Sequence, residues 1–174
     1  GDADIIAYGR SLVCDPDIAK QAETGEPVRL CLNCNKGCVD AIQNRRYITC
    51  VLNAENGEEA TVFIKPSQEK KHVVILGAGI AGLEAARVAA LRGFTVDIYE
   101  KSDRIGGQIH LAAAPPRKDE ILRSVDYYAE ILPAMGVNIH LETEATVEDM
   151  NAADAVIVAV GAHDFALPVP GADG

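Results

Sequence analysis

Four cysteines stand at the spacing C-x2-C-x3-C-x11-C: Cys31, Cys34, Cys38 and Cys50. Four convergent thiolates can hold one metal centre, and packing alone gives no reason to crowd cysteines this way. A closed zinc site is one reading, since four cysteines can make a tetrahedral zinc shell. Structural zinc, however, usually takes two separated C-x2-C pairs. Three close ligands and a lone fourth suit a [4Fe–4S] cluster wrapped by one loop. Asn35 and Gly37, inside the run CLNCNKGC, would let that loop turn tightly. Cys14 lies outside the spacing and reads as a small apolar residue of the first segment.

A second constellation follows at Gly77-Ala78-Gly79-Ile80-Ala81-Gly82, a G-x-G-x-x-G loop. An apolar run, Val73 to Leu76, precedes it, an alanine-rich stretch follows, and Glu100 stands 18 residues beyond Gly82. In that context the loop reads as a dinucleotide site. Gly77 allows the tight turn, Gly79 lets a pyrophosphate approach the backbone, and Gly82 lets helix and strand pack closely. The helix start offers unpaired N–H groups to the anion. Glu100 can accept hydrogen bonds from both ribose hydroxyls and would repel a 2′-phosphate. FAD and NAD share the ADP half that such a loop holds, so the loop itself does not choose between them. Metal thiolates beside a dinucleotide site point to electron transfer.

The elements that must position these residues fall into three stretches. Residues 1–30 read as a strand at Ile5–Tyr8, a turn at Asp15-Pro16 and a helix around Asp17–Gln21 that stops near Gly25. Residues 31–65 hold the cysteines, a loop at Asn53–Gly57 and a short extended run at Thr61–Ile64. Pro66 to Lys71 is polar and opens on proline, as a linker does. From His72 strand and helix alternate: strands at Val73–Leu76, Thr95–Tyr99, Val137–Leu141 and Ala155–Val160. The first helix runs to about Arg92 and ends at Gly93. A long loop with Gly106-Gly107 and Pro115-Pro116 leads to a helix from Lys118, whose predicted buried stripe is Ile121, Leu122, Val125, Ala129 and Leu132. Thr146 to Asp149 resembles a helix-capping start. The pattern predicts an α/β fold with a parallel, Rossmann-like sheet over residues 66–174.

Composition narrows the function classes. A net charge of −10 argues against nucleic acid, whose phosphates would be repelled. No apolar run approaches the roughly 18–20 residues that span a bilayer, so no membrane partner is expected and a cytoplasmic location is the default. Five cysteines, an odd count, fit poorly with a secreted disulfide framework. The chain opens directly on a β-branched run and breaks off just after its last strand, so it is expected to be a piece of a larger enzyme.

Two resemblances sharpen these expectations. Arg104-Ile105-Gly106-Gly107-Gln108 after Glu100 resembles the E-x3-R-x-G-G-x run of flavoprotein reductases of the glutathione-reductase type. The last strand followed by Pro168-Val169-Pro170-Gly171 does so too, and both favour FAD. The whole chain resembles the 2,4-dienoyl-CoA reductase and enoate reductase group, the Old Yellow Enzyme relatives with extra redox domains. The match rests on G-R-x-L-x-x-D-P at Gly9–Pro16, C-x2-C-N-x-G-C at Cys31–Cys38, Cys50, and the FAD segment. Asn53-Ala54 departs from the Asn-Pro expected there. Trimethylamine dehydrogenase is a more distant cousin, with its second and third ligands one residue closer together.

The resemblance implies a (β/α)8 barrel with FMN, whose C-terminal end would be residues 1–30. A cluster segment over 31–65 and an incomplete FAD-binding domain over 66–174 would follow. It implies that Gly9 and Arg10 end the eighth barrel strand, with Arg10 facing the FMN phosphate, and that Cys31, Cys34, Cys38 and Cys50 ligate iron. For FAD it implies Ala81, Glu100, Gln108, Lys118 and Ala145, besides the three loop glycines. NAD(P)H would give a hydride to FAD, the cluster would relay single electrons to FMN, and an enoate or enoyl-CoA-like small molecule would be reduced at an activated C=C bond. The proton donor, substrate pocket and nicotinamide loop lie outside this sequence, and an oligomer is compatible with it. An amine dehydrogenase segment and a non-catalytic zinc and ADP-binding module are the alternatives.

Overall fold

In the computed structural model, which describes residues 3–162, three short helices precede the sheet: α1 (Arg10–Cys14), α2 (Ile18–Thr24) and α3 (Val39–Gln43). Helix α2 stops at Gly25, which takes φ +75°, a left-handed conformation natural to glycine. The expected strand at Ile5–Tyr8 does not form. No strand among the described residues lies alongside to share its backbone hydrogen bonds, and Ile5 and Ile6 stay 87% and 68% exposed. Gly9 and Arg10 therefore open helix α1 and do not close a strand. Thr61–Ile64 is likewise turn and coil, with no strand alongside it among the described residues.

Buried polar side chains hold this first part together. The Asp15 carboxylate accepts the Arg29 N–H at 3.0 Å, the Asp17 N–H at 3.3 Å and the Gln21 side chain at 3.3 Å. Asn53 donates to the Val13 carbonyl at 3.1 Å and receives the Glu55 N–H at 3.1 Å, which pins the turn after Cys50 against α1. A buried group left without such a partner would cost about 1–3 kcal/mol, so each of these contacts fixes the path of the chain.

The remaining elements form the α/β unit that the alternating pattern predicts. They are β1 (His72–Leu76), α4 (Ile80–Leu91), β2 (Thr95–Tyr99), α5 (Ile109–Ala113), a 3-10 turn (Asp119–Leu122), α6 (Arg123–Ala134), β3 (Asn138–His140), α7 (Val147–Asn151) and β4 (Ala155–Val158). All strand pairs are parallel, in the order β3-β2-β1-β4. Strand β1 is central, and its Val73, Val74 and Ile75 are buried, which is what a strand covered on both faces needs. Alanines let α4 lie close to the sheet, and it ends in a Schellman motif, with Phe94 N–H to Ala89 O at 3.1 Å and Gly93 N–H to Ala90 O at 2.8 Å.

Helix α6 closes the core from the same side as α4. Its buried face carries Ser124, Val125, Tyr127, Tyr128 and Leu132, while Ala129 is exposed. The predicted stripe was centred too far round: the face points between residues 124 and 128, and position 129 falls beyond its edge at 100° per residue. The capping box at α7 is present, with Thr146 and Asp149 bonding each other's backbone N–H. On the opposite face of the sheet, the Asp97 carboxylate bridges His72 at 2.8 Å and His140 at 2.7 Å, joining three strands. Among the described residues no helix is long and apolar enough to cross a membrane.

Candidate cofactor sites

The glycine loop turns between β1 and α4, where the strand order switches sides. Gly77 has φ +99°, and a Cβ there would sit 2.5 Å from the Ala159 carbonyl oxygen, so both conformation and space require glycine. A Cβ on Gly82 would lie 2.0 Å from the Gly77 carbonyl oxygen, which is how closely the first turn of α4 presses on the loop. Gly79 differs. Its backbone is extended (φ −70°, ψ 173°) and a Cβ there meets nothing within 4 Å. The room is open space in front of the α4 N-terminus, where a ligand can come close.

Gly106 and Gly107 support the loop from below. Gly106 bridges to Gly79, and its N–H donates to the Ala78 carbonyl at 2.8 Å. The G-G pair thus packs backbone against backbone beneath the site.

Glu100, at the end of β2, is buried and tied to this frame. Its carboxylate accepts the Ala78 N–H at 2.8 Å, the Ser102 N–H at 2.9 Å and the Ser102 hydroxyl. Burial pushes the carboxyl up, but the hydrogen bonds from Ser102 and Ala78 outweigh it and hold the group below the ordinary carboxylate range. It is therefore an ionised acceptor with its position fixed. Spacing alone had suggested contact with a ligand; the structure adds that Glu100 also braces the glycine loop.

Two adjoining cavities run across this frame. The larger, about 450 Å³, is lined by Gly77, Gly79, Ala81, Glu100 and Gln108 among others. The smaller, about 280 Å³, shares Gly77 and Glu100 with it and adds Tyr99 and Ala145. Their sizes suit a small-molecule ligand. Of the residues expected here, Gly82 acts from beneath, and Lys118 is exposed at the start of the 3-10 turn and lines neither cavity.

A separate cavity gathers the cysteines. Cys31, Cys34, Cys38 and Cys50 all line it, together with Arg10, Asn35 and the apolar Val13, Leu32, Val51 and Leu52. The loop is shaped by Asn33 and Asn35 in left-handed conformations, φ +54° and +57°, which asparagine tolerates better than most residues. Gly37 is needed for closeness: a Cβ there would lie 2.4 Å from the Thr49 carbonyl oxygen. That approach brings the Cys38 arm onto the Cys50 arm. All five thiols are free, and among the described residues no three His, Cys, Asp or Glu side chains close round a single metal ion. A donor set of sulfur alone in apolar surroundings suits zinc or iron–sulfur chemistry.

Cys14, set aside in the sequence reading, also lines this cavity and is fully buried. Its thiol lies 3.3 Å from the Arg29 carbonyl oxygen. The proximity of the two sulfurs pushes the Cys14 thiol up and the Cys50 thiol down. Arg10 donates to the Asn35 side chain, which places it at the rim of the cysteine cavity.

Side chains join the two sites. Asn33 donates to the Glu120 carboxylate at 3.0 Å, and Arg123, paired with Glu120, donates to the Cys31 carbonyl at 3.1 Å. The cysteine loop is thereby fixed to the start of α6. No sequence signal announced these long-range polar contacts.

Comparison with known proteins agrees with this architecture. A family model for an NAD(P)-binding Rossmann-like domain matches residues 75–143. The chain is 48% identical to a bilirubin reductase of Mediterraneibacter gnavus (strain CC55_001C) over 98% of its own length and 27% of that protein's. It is 38% identical to a cinnamate reductase of Clostridium sporogenes over 99% of its length and 27% of the relative's. Among solved structures, a 2-naphthoyl-CoA reductase in complex with 2-naphthoyl-CoA superposes with a TM-score of 0.88 at 32% identity, covering 94% of this chain and 26% of that one. The chain spans about a quarter of the length of the curated relatives it matches. In sequence over 98–99% of its length and in fold over 94%, the chain is similar to one segment of these reductases, a segment that contains a Rossmann-like domain.

Proposed function

We propose that this chain is the electron-transfer segment of an NAD(P)H-dependent flavin oxidoreductase that reduces activated C=C bonds of enoate or enoyl-CoA type. Residues 1–30 would be the end of an FMN barrel, 31–65 the cluster segment and 66–174 part of the FAD-binding domain. The observation that carries the reading is the single cavity lined by Cys31, Cys34, Cys38 and Cys50, tied by Arg123 and Asn33 to the nucleotide unit. An all-sulfur donor set of this spacing fits a [4Fe–4S] cluster, and the cleft over Gly79 fits the ADP half of FAD.

Bound in these places, FAD and a cluster supply the conversion of a two-electron hydride into single electrons for FMN. The residues of the chain do the holding. Gly77 and Gly79 admit the pyrophosphate to the α4 N-terminus, Glu100 accepts the ribose hydroxyls, and Ala81 and Gln108 line its path. Ala145 borders the smaller cavity, where the adenine would lie. Lys118 would act from outside the cleft, and Gly9 and Arg10 would face the FMN phosphate.

In the full-length enzyme under anaerobic conditions, NADH or NADPH should bleach the flavin absorption and bring up the EPR signal of a reduced cluster. Oxidation of the reduced enzyme by a cinnamate-type acid should reverse both. Reversal by no unsaturated acid or thioester, with reduction by an amine instead, would place the chain with the amine dehydrogenases.

A further inference from the structure

We propose that Arg29 is the residue that sets the reduction potential of the metal–thiolate centre. The inference rests on the iron–sulfur reading given above. Arg29 stands two positions before Cys31 in the chain, and it holds both arms of the cysteine frame. Its N–H donates to Asp15 at 3.0 Å, its carbonyl lies 3.3 Å from the Cys14 sulfur, and its guanidinium donates to the carbonyl of Leu52, just beyond Cys50. On its other side the guanidinium sits 5.9 Å over the ring of Tyr127 in α6.

The guanidinium is not held in an ion pair with either neighbouring carboxylate. Asp15 is occupied by Gln21 and by the Asp17 and Arg29 backbone N–H groups. Glu84 of α4 is occupied by Nη2 and Nε of Arg87, at 2.7 and 2.8 Å, and by the Tyr128 hydroxyl at 2.9 Å. None of the ion pairs among the described residues includes Arg29. Its Nε–H is buried without an acceptor, a donor that an added anionic group would satisfy. A guanidinium stays charged at every working pH. An electron added to a thiolate-ligated centre adds negative charge, and a fixed cation nearby in a partly dry site stabilises that state. Arg29 thus favours the reduced centre, and through Tyr127 it is anchored on the nucleotide unit that would supply the electron.

The test is an EPR-monitored redox titration of the full-length, iron-loaded enzyme and its Arg29→Gln variant. Loss of the charge should lower the reduced-to-oxidised ratio at a fixed poise about tenfold, a shift of ~59 mV to lower potential. Arg29→Lys should stay near wild type. An Arg29→His variant supplies an internal switch: its potential should fall with rising pH through the histidine range, where the wild type changes less. Iron-loaded Gln and His variants that titrate like wild type at every pH would overturn the inference while leaving the cluster reading intact. Zinc in place of iron in the wild type would instead remove the reading itself.

Discussion

Gly79 and Gly82 lie in one loop, yet substitution by alanine should fail in opposite ways. Gly79 has ordinary extended dihedrals, and a Cβ there meets no atom within 4 Å. As an N-cap, alanine is worse than glycine by something under 1 kcal/mol. The reduced freedom of the unfolded chain returns about 0.4–1 kcal/mol, so the fold should be unchanged within about 1 kcal/mol. Binding should not be. The new methyl would occupy the space through which a pyrophosphate reaches the α4 N-terminus, and each charge-assisted hydrogen bond lost there is worth about 1.5–3 kcal/mol. One or two such losses predict a roughly tenfold to ten-thousandfold weaker affinity for FAD.

Gly82→Ala reverses the pattern. Helix propensity favours alanine by about 1 kcal/mol. Against that, the Cβ would lie 2.0 Å from the Gly77 carbonyl oxygen and 3.3 Å from an Ile75 methyl, so strand, loop or helix must move by more than an ångström. Overpacking of this kind costs about 1–3 kcal/mol and more where backbone is struck, so the clash should win. Thermal unfolding followed by circular dichroism, with calorimetric titration of FAD into flavin-free full-length protein, separates the two. If Gly79→Ala binds FAD as tightly as the wild type, the pyrophosphate does not pass over Gly79 and the assignment of the cleft is wrong.

Other outcomes follow from the same geometry. Gly37→Ala should abolish metal loading while the Rossmann-like sheet keeps its circular dichroism, because its Cβ would strike the Thr49 carbonyl at 2.4 Å; full metal content would refute the close-approach argument. Cys14→Ala should load metal, whereas Cys50→Ser should not; equal loss from both would make Cys14 a ligand. Asp97→Asn should destabilise the fold by about 1–2 kcal/mol at neutral pH, since hydrogen bonds from two histidines to the carboxylate are weakened. Burial raises the Asp97 carboxyl, but bonds from His140, His72 and Asn138 leave it net lowered. A depressed acid stabilises the fold above its unfolded value of about 3.9 and loses that contribution as pH falls through the folded value. The gap in stability between wild type and Asp97→Asn should accordingly narrow below about pH 4, and a constant gap down to full acid unfolding would count against the bridge.

What the sequence announced was local and periodic. The Val73–Leu76 run, the Thr95–Tyr99 strand, the Gly25 and Gly93 stops and the Thr146 cap each depend on neighbours a few residues away, and each formed where expected. The glycine loop was legible for the same reason. Ile5–Tyr8 has the composition of a strand but no strand to pair with among the described residues, which composition cannot report. Helices α3 and α5 have only five residues each, too few for a period to show. The polar frame of the cysteine site was hidden altogether. Asp15 to Arg29, Asn53 to Val13 and Asn33 to Glu120 are single contacts across 14, 40 and 87 positions, and no spacing rule marks them. Cys14 falls in the same class: outside the motif by spacing, inside the cavity by folding.

The central claim is that the four spaced cysteines hold an iron–sulfur cluster beside a flavin. Metal, sulfide and flavin analysis of the anaerobically purified full-length protein tests it most directly. The account predicts about four irons and four acid-labile sulfides per chain, with FAD released on denaturation. One tightly bound zinc, with neither iron nor sulfide, would contradict it.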